Sequence, residues 1–485
     1  MGQTPGVVCD CSVTIEPELP AQVRAPENAS GRKLHRFSGE QNQRMASIYP
    51  FRAWRYHPSS VRLDDVVTQP YDKISPALQQ AYYQRSPYNM VRIILGLPEL
   101  FDAERQESVY TRAARDFAAW RSSGVLIQEK DPCIYAYSQR FTTPGSETVQ
   151  ERRGFIALGK LQEYADQVVF RHELTLSKPK SDRMHLLQAT RAHFGQIFML
   201  YSDPARTIES MLYDGCATPD LEVTDDFAVL HKVWRISDPA TIRLLVAAMA
   251  DKKLIIADGH HRYETALQYA REHASSSLAS GEHSPGQLPQ PLRPEAAAMM
   301  TFVNMDSDGL VILPTHRVLH GLQGFDAAGF LRAAAAMFII EPLEGAGASE
   351  WLAKLRGTAN PAFVAVTRAG AWLLRSKPEV AQTALADIPE HQRRLDLVHL
   401  HTLILDRLLG LNPERVREQT NIRYLRDAAE AVQQVRSGDA DLTFLTNPVP
   451  MEQLREVAFA GQVMPQKSTD FYPKLLSGLT IYALD

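Results

Sequence analysis

The stretch Leu254-Ile-Ile-Ala-Asp-Gly-His-His-Arg-Tyr-Glu-Thr-Ala-Leu-Gln-Tyr269 constrains this chain more than any other. Residues 254–257 are wholly apolar, which suits a short strand covered on both faces. Five polar or glycine positions follow, and then Tyr263, Leu267 and Ala270 recur at the spacing of one helical face. A helix that starts at the carboxyl end of a buried strand needs a sheet to pack on. The chain therefore reads as mixed α and β, an α+β protein, with its polar cluster at a helix N-terminus.

Such a terminus presents N–H groups without internal partners and the positive end of the helix dipole, so it attracts phosphate. Gly259 lets the backbone come close to a ligand, and His260, His261 and Arg262 add donors. Asp258 beside a phosphate is unfavourable unless it binds Mg²⁺ or takes a proton. Two plainer readings stand next to this one. Asp258 can be a simple N-cap with exposed histidines behind it. Alternatively, His261 and Glu264, three apart on one face, can begin a metal site, which lacks a third ligand nearby.

At 485 residues, with 45% apolar and 22% charged, the chain has an ordinary globular composition and room for two or three units. Residues 1–45, rich in scattered Pro, Gly, Ser and Arg, read as a disordered extension. The expected units are 46–150, 151–320 and 321–485, with 274–295 a mobile loop. Residues 90–95 read as a strand and 102–123 as a helix. Residues 133–141 and 149–158 should form a hairpin. Asp182 is placed as the cap of a helix to about Phe194, ahead of a strand over 196–201. Strands over 298–305 and 310–313 are joined by Asp-Ser-Asp-Gly. A net charge of -4 without a dense Lys/Arg run argues against nucleic acid as partner. Four cysteines, two of them in Cys9-Asp-Cys11 without a second pair, make neither a disulfide scaffold nor a zinc site. No apolar run reaches the roughly 20 residues of a membrane span, and the first residues lack the order of a secretory signal. A cytoplasmic protein is expected, and a homodimer is left open.

The turn resembles that of the ParB/sulfiredoxin-like superfamily, and Asp-Gly-His-His-Arg resembles its free-serine kinases. From about residue 46 the sequence is also similar to the uncharacterised family called domain of unknown function 1015. The stretches that carry this are Tyr49-Pro-Phe-Arg-Ala53, Gln69-Pro-Tyr-Asp-Lys-Ile-Ser75, His172-Glu-Leu-Thr175, Ile256 to Ala266, Leu313-Pro-Thr-His-Arg317 and Met464-Pro-Gln-Lys-Ser-Thr469. The resemblance implies a ParB/sulfiredoxin-like module embedded in a larger multi-domain protein. By it, Glu173 is the general base and Asp258 the second catalytic carboxylate, the residue that would meet Mg²⁺. His260, His261 and Arg262 then hold phosphate. About fifty residues, 202–252, stand between the strand at 196–201 and the turn, which a compact module would not need.

Other polar clusters each admit a plainer reading. His316 and Arg317 either join an anion pocket or form a turn with exposed cations. Lys467, Ser468 and Thr469 suit a phosphate or carboxylate, with Lys474 nearby. His172, Lys178 and Arg183 are candidates for the substrate, against a solvated pair and a plain basic surface. The function these features point to is a nucleotide-dependent phosphotransferase, using Mg²⁺ with ATP or ADP, on a small hydroxyl metabolite such as L-serine. No Walker loop or protein-kinase signature is present. A nucleotide-binding switch and a metal-dependent hydrolase remain as alternatives.

Overall fold

The computed structural model describes residues 46–98, 107–175, 177–215, 218–274, 287–345, 347–358 and 361–485. The expected disordered extension, residues 102–106 of an expected helix, and most of the 274–295 loop lie outside these residues.

Two mixed layers of strand and helix result. In the larger sheet the strands run in the order Val169–Phe170, Leu254–Asp258, Ile197–Tyr201, Ala297–Asn304, Val149–Lys160, Ile134–Thr142, Leu230–Ile236, Leu221–Thr224. Ile48–Tyr49 pairs beside Val149–Lys160. Parallel pairing joins Leu254–Asp258 to Val169–Phe170 and Ala297–Asn304 to Ile197–Tyr201, and the other pairs are antiparallel. The smaller sheet, antiparallel throughout, runs Phe338–Leu343, Gly370–Ser376, Ala362–Thr367, Leu442–Leu445, His316–Leu319, Ile422–Leu425.

Burial explains why the central strands carry no polar alternation. Leu254 and Ile256 join a cluster with Leu245, Met249, Tyr263 and Ala266, while Ile255 and Ala257 point into a second cluster on the opposite face. That second cluster is continuous with Phe338, Phe363 and Phe444 of the smaller sheet. Each fully buried side chain of this size is worth about 1.5–3 kcal/mol, so a polar substitution on either face would be costly. The outer face of the smaller sheet is closed by helices Ala348–Arg356 and Ala428–Ser437.

Several local expectations hold. Strands Ile134–Thr142 and Val149–Lys160 pair as a hairpin, and the strand Ile197–Tyr201 falls within the expected 196–201. The helix after the turn is His260–Glu272. Others are corrected. Residues 90–95 contain a helical turn, Val91–Ile94, rather than a strand. The Asn89 side chain accepts the Val91 N–H at 3.0 Å, and a short apolar run does not by itself distinguish strand from buried helix. The helix assigned to Asp182 begins earlier, at Ser177, and the Asp182 carboxylate accepts the Tyr110 hydroxyl at 2.8 Å. The strand expected over 310–313 is Val311–Leu313, and it pairs with Asp470–Tyr472. The long 202–252 stretch supplies strands Leu221–Thr224 and Leu230–Ile236 to the larger sheet.

Candidate active site

The turn after Leu254–Asp258 has the local geometry its residues dictate. Gly259 sits at φ 92, in the left-handed region, and a Cβ there would lie 3.0 Å from the Arg262 guanidinium. The Asp258 side chain turns back, accepting the Gly259 N–H at 2.8 Å on one oxygen and the Lys474 ammonium at 3.0 Å on the other. Lys474 also lies 3.0 Å from Asp470, which in turn takes Lys73 at 3.4 Å and the Arg426 Nη2 at 2.8 Å. Burial acts to raise the Asp258 and Asp470 carboxyls. The Lys474 charge, helped by Arg262 at Asp258 and by Lys73 and Arg426 at Asp470, outweighs it and holds both well below the usual carboxylate range. Burial likewise lowers Lys474, but the two carboxylates overcome it and raise its pKa. Asp258 is an ionised group that orients a lysine.

Glu173 reaches the same place from the segment between Val169–Phe170 and the helix Ser177–Thr190. Its Oε1 accepts the Lys467 N–H at 3.0 Å, and its Oε2 has no hydrogen-bond partner among the described residues. Glu173, Asp258, Lys467 and Thr469 line a cavity of about 700 Å³. Asp72, Lys73, Tyr424, Arg426, Asp470 and Lys474 complete much of its wall. Five cations and six carboxylates face this space, so it suits a ligand carrying anionic and neutral polar groups together.

The remaining candidates separate. His172 is fully buried, its Nε2 2.8 Å from the Thr469 hydroxyl and its ring edge-on to His260 at 4.7 Å. Burial drives both imidazoles below their ordinary value, so they are neutral supports beneath the wall. His261 is half-buried and also lowered by burial, with the Glu173 charge opposing. Arg262 turns away. Its Nη1 donates to the Gln196 carbonyl, and its side chain lines a separate, smaller cavity of about 60 Å³ together with Arg183, Tyr71 and Ser477. Arg183 stacks over Tyr71 at 4.0 Å and pairs with Asp182. Lys178 lies in the first turn of Ser177–Thr190, and its side chain is outside those described.

His316 and Arg317 are not an exposed turn. They begin the central strand His316–Leu319 and are almost wholly buried. His316 Nδ1 accepts the Thr446 N–H at 3.2 Å, and burial pushes the ring down to about 4. Arg317 donates to the carbonyls of Thr315 and Lys467, the latter at 3.1 Å, so it props the loop that carries Lys467. Burial lowers it to about 10. Ser468 is buried and donates to the Pro465 carbonyl, within that same loop.

Sequence reasoning missed Lys73, Arg426 and Asp470 as members of the wall. Lys73 stands in Gln69-Pro-Tyr-Asp-Lys-Ile-Ser75 and Asp470 directly follows Met464-Pro-Gln-Lys-Ser-Thr469, so the motifs held a usable signal. Arg426 had none. As for a metal, both Asp258 oxygens are engaged, and among the described residues no group of three or more His, Cys, Asp or Glu is arranged to hold an ion. The residues present do not make a resident Mg²⁺ site. Among the same residues, no helix is long and apolar enough to cross a membrane.

Solved structures similar to the chain are distant. A conserved hypothetical protein from Pyrococcus furiosus is 11% identical, with 64% of this chain and 91% of that one covered, at a TM-score of 0.32. A free serine kinase in complex with AMP is 13% identical, with 64% and 89% covered, also at 0.32. SbnI with a C-terminal truncation, from Staphylococcus aureus, is 9% identical over 66% and 85%, again at 0.32. No curated protein matches the sequence. Residues 48–398 match the model of a family described as Protein of unknown function (DUF1015), and the chain belongs to that family.

Proposed function

We propose that this protein is a nucleotide-dependent phosphotransferase that uses ATP or ADP and acts on a small hydroxyl-bearing metabolite. One observation carries the reading: Glu173 and Asp258, from separate segments, face one cavity with Lys467, Lys474, Lys73 and Arg426 on its wall. A volume of about 700 Å³ is that of a small-molecule site. L-serine is the first candidate acceptor, on the resemblance of Asp-Gly-His-His-Arg to the free-serine kinases.

In this scheme the acceptor hydroxyl gives its proton to Glu173 as its oxygen bonds to phosphorus, and the bond from that phosphorus to the bridging oxygen of the donor breaks. A hydroxyl is a poor nucleophile at neutral pH, and a placed carboxylate contributes typically about 10²–10⁴-fold. The Lys467 amide fixes one Glu173 oxygen and leaves the other to take the proton. Charge spreading over the transferring group is met by the wall cations. Asp258, held ionised, keeps Lys474 aimed into the space.

The test is direct. Purified protein is incubated with Mg²⁺, ADP or ATP, and L-serine or a panel of small alcohols, and phosphorus NMR follows the phosphomonoester. Product is expected, falling by about 10²–10⁴-fold in Glu173→Ala and strongly in Asp258→Asn. Nucleotide binding without transfer to any alcohol would refute the proposal.

A further inference from the structure

Glu264 belongs to the turn-and-helix motif, yet it does not face the large cavity. It is in the second turn of the helix His260–Glu272, and two of its partners, Arg171 and Thr175, come from the segment that carries Glu173, with Tyr164 ahead of that segment and Lys180 in the helix after it. Oε1 takes Arg171 at 3.3 Å and the Tyr164 hydroxyl at 3.4 Å. Oε2 takes the Thr175 hydroxyl at 2.5 Å and the Lys180 ammonium at 3.1 Å. Arg171 and Thr175 stand two residues before and two residues after Glu173. On the other side the same segment is held by the loop before Asp470. The Met464 N–H donates to the His172 carbonyl at 2.8 Å, His172 Nε2 meets the Thr469 hydroxyl, and the Lys467 N–H meets Glu173. Residues 171–175 form no regular secondary structure, so side-chain and loop contacts such as these hold their path.

We infer that Glu264 is a positioning residue for Glu173, one carboxylate that grips both flanks of the base and ties them to the helix opened by the Asp258 turn. The inference rests on the phosphotransfer reading. Burial works to raise the Glu264 carboxyl, and the Thr175 and Lys180 donors outweigh it, so the clamp is ionised at neutral pH. Its carboxylate is wholly spent on these four donors, which is why it is not the metal ligand that its spacing from His261 suggested. A base must be held within about half an ångström of its productive position, and a misplacement of about 1 Å can cost about 10²-fold.

Glu264→Gln keeps the shape and removes the charge, and Glu264→Asp keeps the charge on a shorter arm. In the full chain, kcat for the phosphomonoester should fall roughly 10- to 100-fold in Glu264→Gln, with the ADP dissociation constant within about twofold of wild type. Glu264→Asp should recover part of the loss. Hydrogen exchange read by mass spectrometry should quicken over residues 171–175 and stay unchanged over 254–258. An active wild type with an equally active Glu264→Gln overturns the inference and leaves the phosphotransfer reading standing. So does unchanged exchange over 171–175. An inactive wild type sinks the phosphotransfer reading itself.

Discussion

Lys474 holds two carboxylates at once, the half-buried Asp258 and the buried Asp470, at 3.0 Å each, with its own side chain 8% exposed. Removing one partner of a buried pair costs about 3–5 kcal/mol, because the charge left behind has neither water nor counterion. Lys474→Met should therefore lower the urea midpoint sharply at neutral pH. The sign of its pH dependence follows from the shifts. In the wild type both carboxyls are depressed, so their stabilisation is present above the ordinary carboxyl value of 3.8 and is lost only as pH falls well below it. Without Lys474, the largest charge opposing burial at Asp258 is gone, so its pKa rises from the wild-type position and protonation relieves the charge left unpaired. The deficit of Lys474→Met should shrink between about pH 7 and about pH 4.5. An equal deficit at both values would show that the lysine is not carrying these charges. Sequence reading found Glu173 and Asp258 through their motifs, but Lys474 lies 216 residues from Asp258, and an ion pair at that separation leaves no local trace. Arg262 shows the opposite limit. Its place in the motif grouped it with the phosphate donors, and nothing local shows that its guanidinium donates to the Gln196 carbonyl.

At the level of elements, the turn is only as good as its glycine. Gly259→Ala forces a Cβ into the left-handed region and against Arg262, at a cost of about 1–2 kcal/mol. A denaturant midpoint no lower than wild type would mean that the turn has relaxed and that its geometry is not enforced. The helix His260–Glu272 was legible because apolar spacing is a local signal. The strand His316–Leu319 was not, since its polar first residues look like a turn. Only pairing with Leu442–Leu445 and Ile422–Leu425 makes them a strand. For the same reason 202–252 read as an insertion, although its strands finish the edge of the larger sheet.

Across the whole molecule, the last residues stitch together parts far apart in sequence. Asp470–Tyr472 pairs with Val311–Leu313, Ser477 bridges Thr68, Ile481 bridges Trp54, and Tyr482–Ala483 pairs with Ala192–His193. Phe471, Leu476, Leu479 and Ile481 are wholly buried. Deleting residues 470–485 should abolish the cooperative unfolding transition followed by circular dichroism, beyond any loss of the site. A truncated chain that melts like the wild type would make the tail an appendage. The α+β class was readable from composition and alternation, but this stitching was not, since each tail strand is two or three residues long.

Lys474 also sets an order of events during synthesis. Asp258 leaves the ribosome 216 residues ahead of Lys474, and until then its carboxylate lacks that hydrogen-bonded ammonium. Asp470 and Lys474, which complete the wall beside Asp258, come from the same late segment. Assembly of the wall is thus among the last acts of folding, and a stalled or clipped chain would be born without a site.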